Sequence, residues 1–169
     1  SWAVTYIETN KLIAAVNEHL QAFLISHGYK AVFVPATHNF NETTLLSDWS
    51  HRSAAYIAGL GTFGVNHMLI TESGCCGRIG SLITDLQLMP TPRPSAEYCL
   101  HKADGSCGRC AKKCVNHALA IDTLDKHKCY EMCLINAERL SDLESIADVC
   151  GKCLVDVPCS SAAPANQAV

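Results

Sequence analysis

The sequence predicts an α+β fold in two parts, a short α/β stretch over residues 1–90 and a cysteine-rich stretch over residues 91–169. Three observations carry that reading. Apolar runs of helical and strand period follow one another in the order helix, strand, helix, strand, strand as far as Leu88. Three of the six prolines then fall in "MPTPRPS", residues 89 to 95, a composition that makes a semi-rigid linker. Beyond it, nine of the 11 cysteines lie between Cys99 and Cys159.

Each element has its own signal. Leu12, Val16, Leu20 and Leu24, with Ile13 and Phe23 beside them, recur at helical spacing, and His27-Gly28 supplies a stop, so an amphipathic helix is expected. "AVFVPA" from Ala31 is a β-branched and aromatic run closed by Pro35, which reads as a strand. "SDWSHRSAAYIAGLG" opens on cap residues and ends on glycines, a second helix running into a Gly-rich turn. "HMLITESG" and "RIGSLITDL" are strands expected to join through a turn at Gly74. A sheet of about three strands would leave one face open. Either another chain, a second copy or a partner, covers that face, or these residues are the later half of a larger domain.

Composition narrows the classes of function. With 169 residues and 49% hydrophobic content the chain is globular, able to bury one full core or two small ones. A net charge of -3, with 13 Lys and Arg against 16 Asp and Glu, leaves no basic block to neutralise phosphates, so nucleic acid is not an expected partner. The sequence shows no signal-peptide pattern and no apolar run of membrane-spanning length, so no membrane partner and a cytoplasmic location are expected. In that reducing compartment clustered thiols favour metal over disulfide.

The thiols themselves are spaced C-x7-C-x2-C-x3-C in "CLHKADGSCGRCAKKC", from Cys99 to Cys114. The C-x2-C-x3-C part follows the second half of the bacterial ferredoxin pattern, with Val115 where a proline is usual. Downstream come Cys129 and Cys133 in "HKCYEMC", then Cys150, Cys153 and Cys159 in "CGKCLVDVPC". Nine thiols are one more than two four-cysteine clusters need. Three cysteines on one tight loop can hold three irons of a cubane while a fourth comes from elsewhere. The reading is therefore Cys99, Cys107 and Cys110 with Cys159 for one 4Fe-4S cluster, and Cys114, Cys129, Cys150 and Cys153 for the other. Cys133 is spare, with the choice between Cys129 and Cys133 left open. The alternatives are a four-thiolate zinc site from Cys107, Cys110, Cys150 and Cys153, which strands five neighbouring thiols, and a disulfide framework, which strands an odd cysteine.

"SHRSAAYIAGLGTFGVNHMLIT", then "RIGSLITDLQL", "CGRCAKKC" and "CGKCLVDVPC", together resemble the epoxyqueuosine reductase-like family, whose cobalamin-plus-iron-sulfur plan is shared with reductive dehalogenases. The resemblance implies a nitroreductase-like corrinoid domain followed by a ferredoxin-like domain whose two clusters feed electrons to the corrinoid. An electron donor such as a ferredoxin or flavodoxin would serve the clusters. It also implies departures. About the first half of the corrinoid domain and the helical repeat domain have no counterpart here, Asp48 is the nearest carboxylate to the family's proton donor, and Cys75 and Cys76 stand as free thiols where the family has a plain loop.

With a corrinoid in view, six residues become candidate contacts, each with a plainer reading. His51 and Arg52 either meet a corrinoid side chain or phosphate, or are exposed neighbours of a helix cap. Gly59, Gly61 and Gly64 in "GLGTFG" either let the backbone approach a flat macrocycle or serve a tight turn. Thr84, with Asp85, either joins the site or bonds across the sheet edge. Trp2 and Trp49 are expected in the core or an interface. Two functions follow as expectations: a corrinoid-dependent iron-sulfur reductase acting on a small or nucleoside-type substrate, or an iron-sulfur electron-transfer protein without corrinoid.

Overall fold

Helix α1 (Trp2–Ser26) starts well ahead of the Leu12 stripe and ends at the stop already legible in the sequence. His27 N–H donates to the Leu24 carbonyl at 3.1 Å, and Gly28 turns the chain with a φ of +86°, a conformation glycine adopts at least cost. The computed structural model describes residues 1–35 and 40–164. Ala36, the last residue of the "AVFVPA" run, lies outside them.

Mixed helices and small sheets make the fold α+β, but the strands pair differently from expectation. β1 (Ala31–Val34) pairs antiparallel with β6 (Ser81–Thr84), in the register Val32 opposite Ile83. A short hairpin joins β2 (Phe40–Asn41) to β3 (Leu46–Ser47), where the sequence carried no strand signal that we read. β4 (Gly61–Phe63) pairs with β5 (Leu69–Thr71). The single three-stranded sheet is thus replaced, among the described residues, by three two-stranded ribbons. Two expectations are corrected here: the "GLGTFG" turn contains a strand, and the strands at Leu69 and Ser81 do not pair with each other across Gly74.

Helix α2 (His51–Ile57) forms where expected, and its start is capped by the Ser50 hydroxyl, which accepts from Ser53 N–H at 3.2 Å. The rest of the described chain holds α3 (Leu100–Asp104), α4 (Arg109–Lys112) and α5 (Lys126–Arg139), with an isolated bridge between Leu119 and Leu124. Asp125 caps α5 by accepting from Lys128 N–H at 3.0 Å.

The main core draws on both sides of the proline-rich segment. Val65, Ile70 and Cys75 pack with Tyr98, Cys99, Cys110, Leu119, Leu154 and Val157. A second cluster joins Ala3, Tyr6 and Ile7 of α1 to Ala147, with Leu140, Leu143 and Val149 against it. α1 buries Ala3, Tyr6 and Ile7 near its start and Asn17 further on, where Ile13 and Asn17 stand against Gly80. Of the stripe that reads as an internal face, Ile13 and Leu24 are half-buried, but Leu12, Val16, Leu20 and Phe23 are exposed. Trp2 packs on the main core, as expected, with its indole pressed against Gly151.

Candidate metal centres

Four of the nine clustered thiols line one cavity. Cys99 caps α3, Cys107 sits just before α4 and Cys110 within it, and Cys159 comes from the far end of the chain. These four side chains, with Gly64, Asn66 and an apolar wall that includes Val65 and Val157, enclose ≈ 340 Å³ counting the open mouth. Local sequence explains the placement. Gly105 closes α3 in a left-handed turn (φ +79°), and Gly108 starts α4, so the chain reverses twice between Cys99 and Cys110. Lys113 then ties the returning C-terminal loop down, donating to the Val155 carbonyl at 2.8 Å and to Asp156 Oδ2 at 3.0 Å.

The electrostatics agree with close approach. Burial pushes the Cys110 thiol up, and the neighbouring Cys159, Cys99 and Cys107 add to that, opposed by a backbone hydrogen bond from Ala111. Cys159 goes the other way, lowered to about 7 chiefly by a hydrogen bond from Cys75, whose own thiol is raised by the same contact and by burial. A thiolate near neutral pH is the form that binds metal.

The second group gathers around Cys153, raised to about 12 by burial first and then by the nearby Cys129, Cys150 and Cys114, with Cys110 contributing from the first group. Cys129 and Cys133 stand one turn apart on the same face of α5. Their mutual hydrogen bond lowers Cys129 to about 7 and raises Cys133, which also interacts with Cys150. Cys114 Sγ accepts from Leu119 N–H at 3.3 Å, and Asn116, two residues on, donates its amide to the Lys128 carbonyl of α5. That links the Cys114 turn to the helix carrying Cys129.

Each group gathers cysteines from separate segments of the chain. Among the described residues no three His, Cys, Asp or Glu side chains form a single-ion site. The zinc alternative would join Cys107, on the first cavity, to Cys150 and Cys153, which belong with the second group. All 11 cysteines are free of disulfides.

The six residues read against a corrinoid each have contacts within the chain or border the first cavity. His51 Nε2–H donates to the Pro35 carbonyl at 2.9 Å, so in the neutral ring Nδ1 accepts from the Ser81 hydroxyl at 2.8 Å, and both nitrogens are spent on the protein. Arg52 keeps an exposed edge and donates to the His67 carbonyl at 2.9 Å. Desolvation lowers its guanidinium, while the Cys129 charge opposes that, which puts Arg52 beside the second thiol group. A Cβ on Gly59 (φ +82°) would meet the Thr91 and Pro92 carbonyl oxygens at 2.8 Å, and one on Gly61 would overlap the Ile70 carbonyl of the paired strand. Gly64 lines the first thiol cavity. Thr84 Oγ1 accepts from Leu86 N–H at 3.1 Å, a local turn bond, while Asp85 accepts from Lys30 N–H at 2.8 Å across the sheet edge. His51, Gly59, Gly61 and Thr84 are thus each engaged by their own chain. The sequence does not single out Asn66, buried on the cavity wall, and reads Cys75, which stands behind Cys159, only as a free thiol.

No protein-family model matches the chain, and no curated protein matches it. Among solved structures, that of epoxyqueuosine reductase from Streptococcus thermophilus superposes with a TM-score of 0.54 at 19% identity, over 93% of this chain. The chain spans 40% of the length of that protein. At this identity the likeness is one of fold. Among the described residues no helix is long and apolar enough to cross a membrane.

Proposed function

We propose that this chain is an iron-sulfur redox protein that binds two 4Fe-4S clusters and passes electrons between them. Cys99, Cys107, Cys110 and Cys159 would hold the first, and Cys114, Cys129, Cys150 and Cys153 the second. The observation that carries the proposal is the cavity lined by four thiols from three separate segments. Bound there, the clusters would supply one-electron chemistry. The chain's own residues set the conditions for it: apolar burial from Val65 and Val157, and closure of the C-terminal loop by Lys113. A small donor such as a ferredoxin or flavodoxin would reduce the clusters, within the cytoplasm.

A second reading, the corrinoid-dependent reductase, is favoured by the fold likeness to epoxyqueuosine reductase. The residues described here do not fit a corrinoid site, since His51, Gly59, Gly61 and Thr84 are occupied by their own chain. Iron, sulfide, zinc and cobalt counts on anaerobically purified protein, with a visible spectrum before and after adding cobalamin, test both readings. About eight irons with matching sulfide is the expected result. Zinc without sulfide would overturn the cluster proposal, and retained cobalt would move the second reading to first place.

A further inference from the structure

We infer that Asn66 and Cys75 form a hydrogen-bond relay onto the sulfur of Cys159, which makes Cys75 a positioning residue that tunes the first cluster. The inference rests on the proposed role of Cys159 as a ligand. Cys75 is only 1% exposed, inside the main core, with its Sγ 3.7 Å from Cys159 Sγ. It stands behind the ligand, as Cys159 lines the cavity and Cys75 does not border it.

Backbone contacts fix this approach, so it does not depend on two rotamers alone. Cys75 N–H donates to the Cys159 carbonyl at 2.9 Å, Cys76 N–H to the Ser160 carbonyl at 3.1 Å, and Ala163 N–H to the Glu72 carbonyl at 3.2 Å. Gly74 lets the two loops press together, because a Cβ there would stand 2.6 Å from Ala162 N and overlap the Ser160 carbonyl. Its φ of +84° is also one that other residues adopt only with strain.

The relay has a direction. Asn66 Oδ1 accepts from Met68 N–H at 3.2 Å, which turns the amide so that Nδ2 faces Cys75 Sγ at 3.7 Å and the Cys153 carbonyl at 3.4 Å. A metal-bound thiolate carries no proton, so the hydrogen between the two sulfurs belongs to Cys75. Its neighbour Cys76 directs its own thiol hydrogen to the Leu154 carbonyl at 3.4 Å and donates none to Cys159, although its sulfur stays within reach of Cys75. A hydrogen bond to a ligand sulfur draws electron density from the cluster and favours its reduced state, raising the reduction potential.

The test compares wild type with Cys75→Ala, Cys75→Ser and Cys76→Ala, all purified anaerobically, by iron and sulfide content and then by redox titration of each cluster. Cys75→Ala should keep its iron and show a downward shift in the potential of one cluster. Cys75→Ser, which retains a shorter donor, should shift the same cluster less, and Cys76→Ala should match wild type. Equal potentials in Cys75→Ala and Cys76→Ala overturn the relay, as does loss of a cluster from Cys75→Ala, which would make Cys75 a ligand or a packing group. Where Cys75→Ala does not fold, Cys75→Ser decides by the same comparison. Wild type without iron and sulfide would remove the proposed function and the relay together, whereas full iron with unmoved potentials removes the relay alone.

Discussion

Cys129 and Cys133 share one face of α5, and the proposed second cluster needs only one of them. Their hydrogen bond lowers Cys129 and raises Cys133, and the Arg52 charge lowers Cys129 further. Cys133→Ala should therefore keep wild-type iron, while Cys129→Ala and Cys107→Ala should each lose about half of it by iron and sulfide analysis. Full iron in Cys129→Ala would reverse the choice. Tyr6 gives a second prediction. Its hydroxyl donates to Asp148 Oδ1 at 2.9 Å, and Arg78 covers its ring at 4.3 Å. Burial first, then the Asp148 charge, raises the phenol to about 12. A folded pKa above the unfolded value means that the contribution is whole below pH 10 and is lost as pH rises toward 12. Tyr6→Phe should cost about 1 kcal/mol at neutral pH by urea unfolding, and should flatten the fall in stability across that alkaline window. At this scale the thiol spacing was legible because metal-ligand geometry is set by short loops. The Asn66–Cys75 contact was not, since nothing in the spacing of an asparagine and a thiol marks them as partners before the fold is known.

The β4–β5 ribbon shows why a glycine motif misleads when read without its neighbours. "GLGTFG" follows a helix and looks like a turn, and half of it is one: Gly59 has a φ of +82° and closes α2. Gly61, two residues later, is a strand residue whose missing side chain lets the Ile70 carbonyl come close. Nothing local announces that contact, because it depends on where β5 returns. Gly61→Ala should therefore lower stability by about 1–3 kcal/mol or more through forced separation of the ribbon, read as a lower thermal midpoint. Gly59→Ala adds strain at positive φ to a clash with Thr91 and Pro92. Gly77 is the control: a Cβ there meets nothing within 4 Å and its φ is ordinary, so Gly77→Ala should change stability by no more than ~0.5 kcal/mol. Equal losses at Gly61 and Gly77 would contradict the close approach. Capped elements such as α2 and the strand before Pro35 were readable because their signals lie within a few residues of their ends.

Across the whole molecule, burial is uneven in a way that periodicity alone cannot foresee. An apolar stripe on α1 announces a buried face, yet it does not say what buries it. The structure covers Ala3, Tyr6 and Ile7 with the segment around Ala147, and leaves Leu12 61% and Leu20 44% exposed. Val32 and Ile83, opposite each other on β1 and β6, are exposed as well. These exposed apolar residues are where the expectation that another copy or partner covers the open side can be tested. Stability and association should therefore separate. Leu12→Lys with Leu20→Lys falls at exposed positions and should cost less than Ile7→Ala, which at 6% exposure should cost about 2–5 kcal/mol. Sedimentation of wild type at rising concentration should show self-association that the double lysine variant lacks. If both sediment alike as monomers, no second copy covers this face.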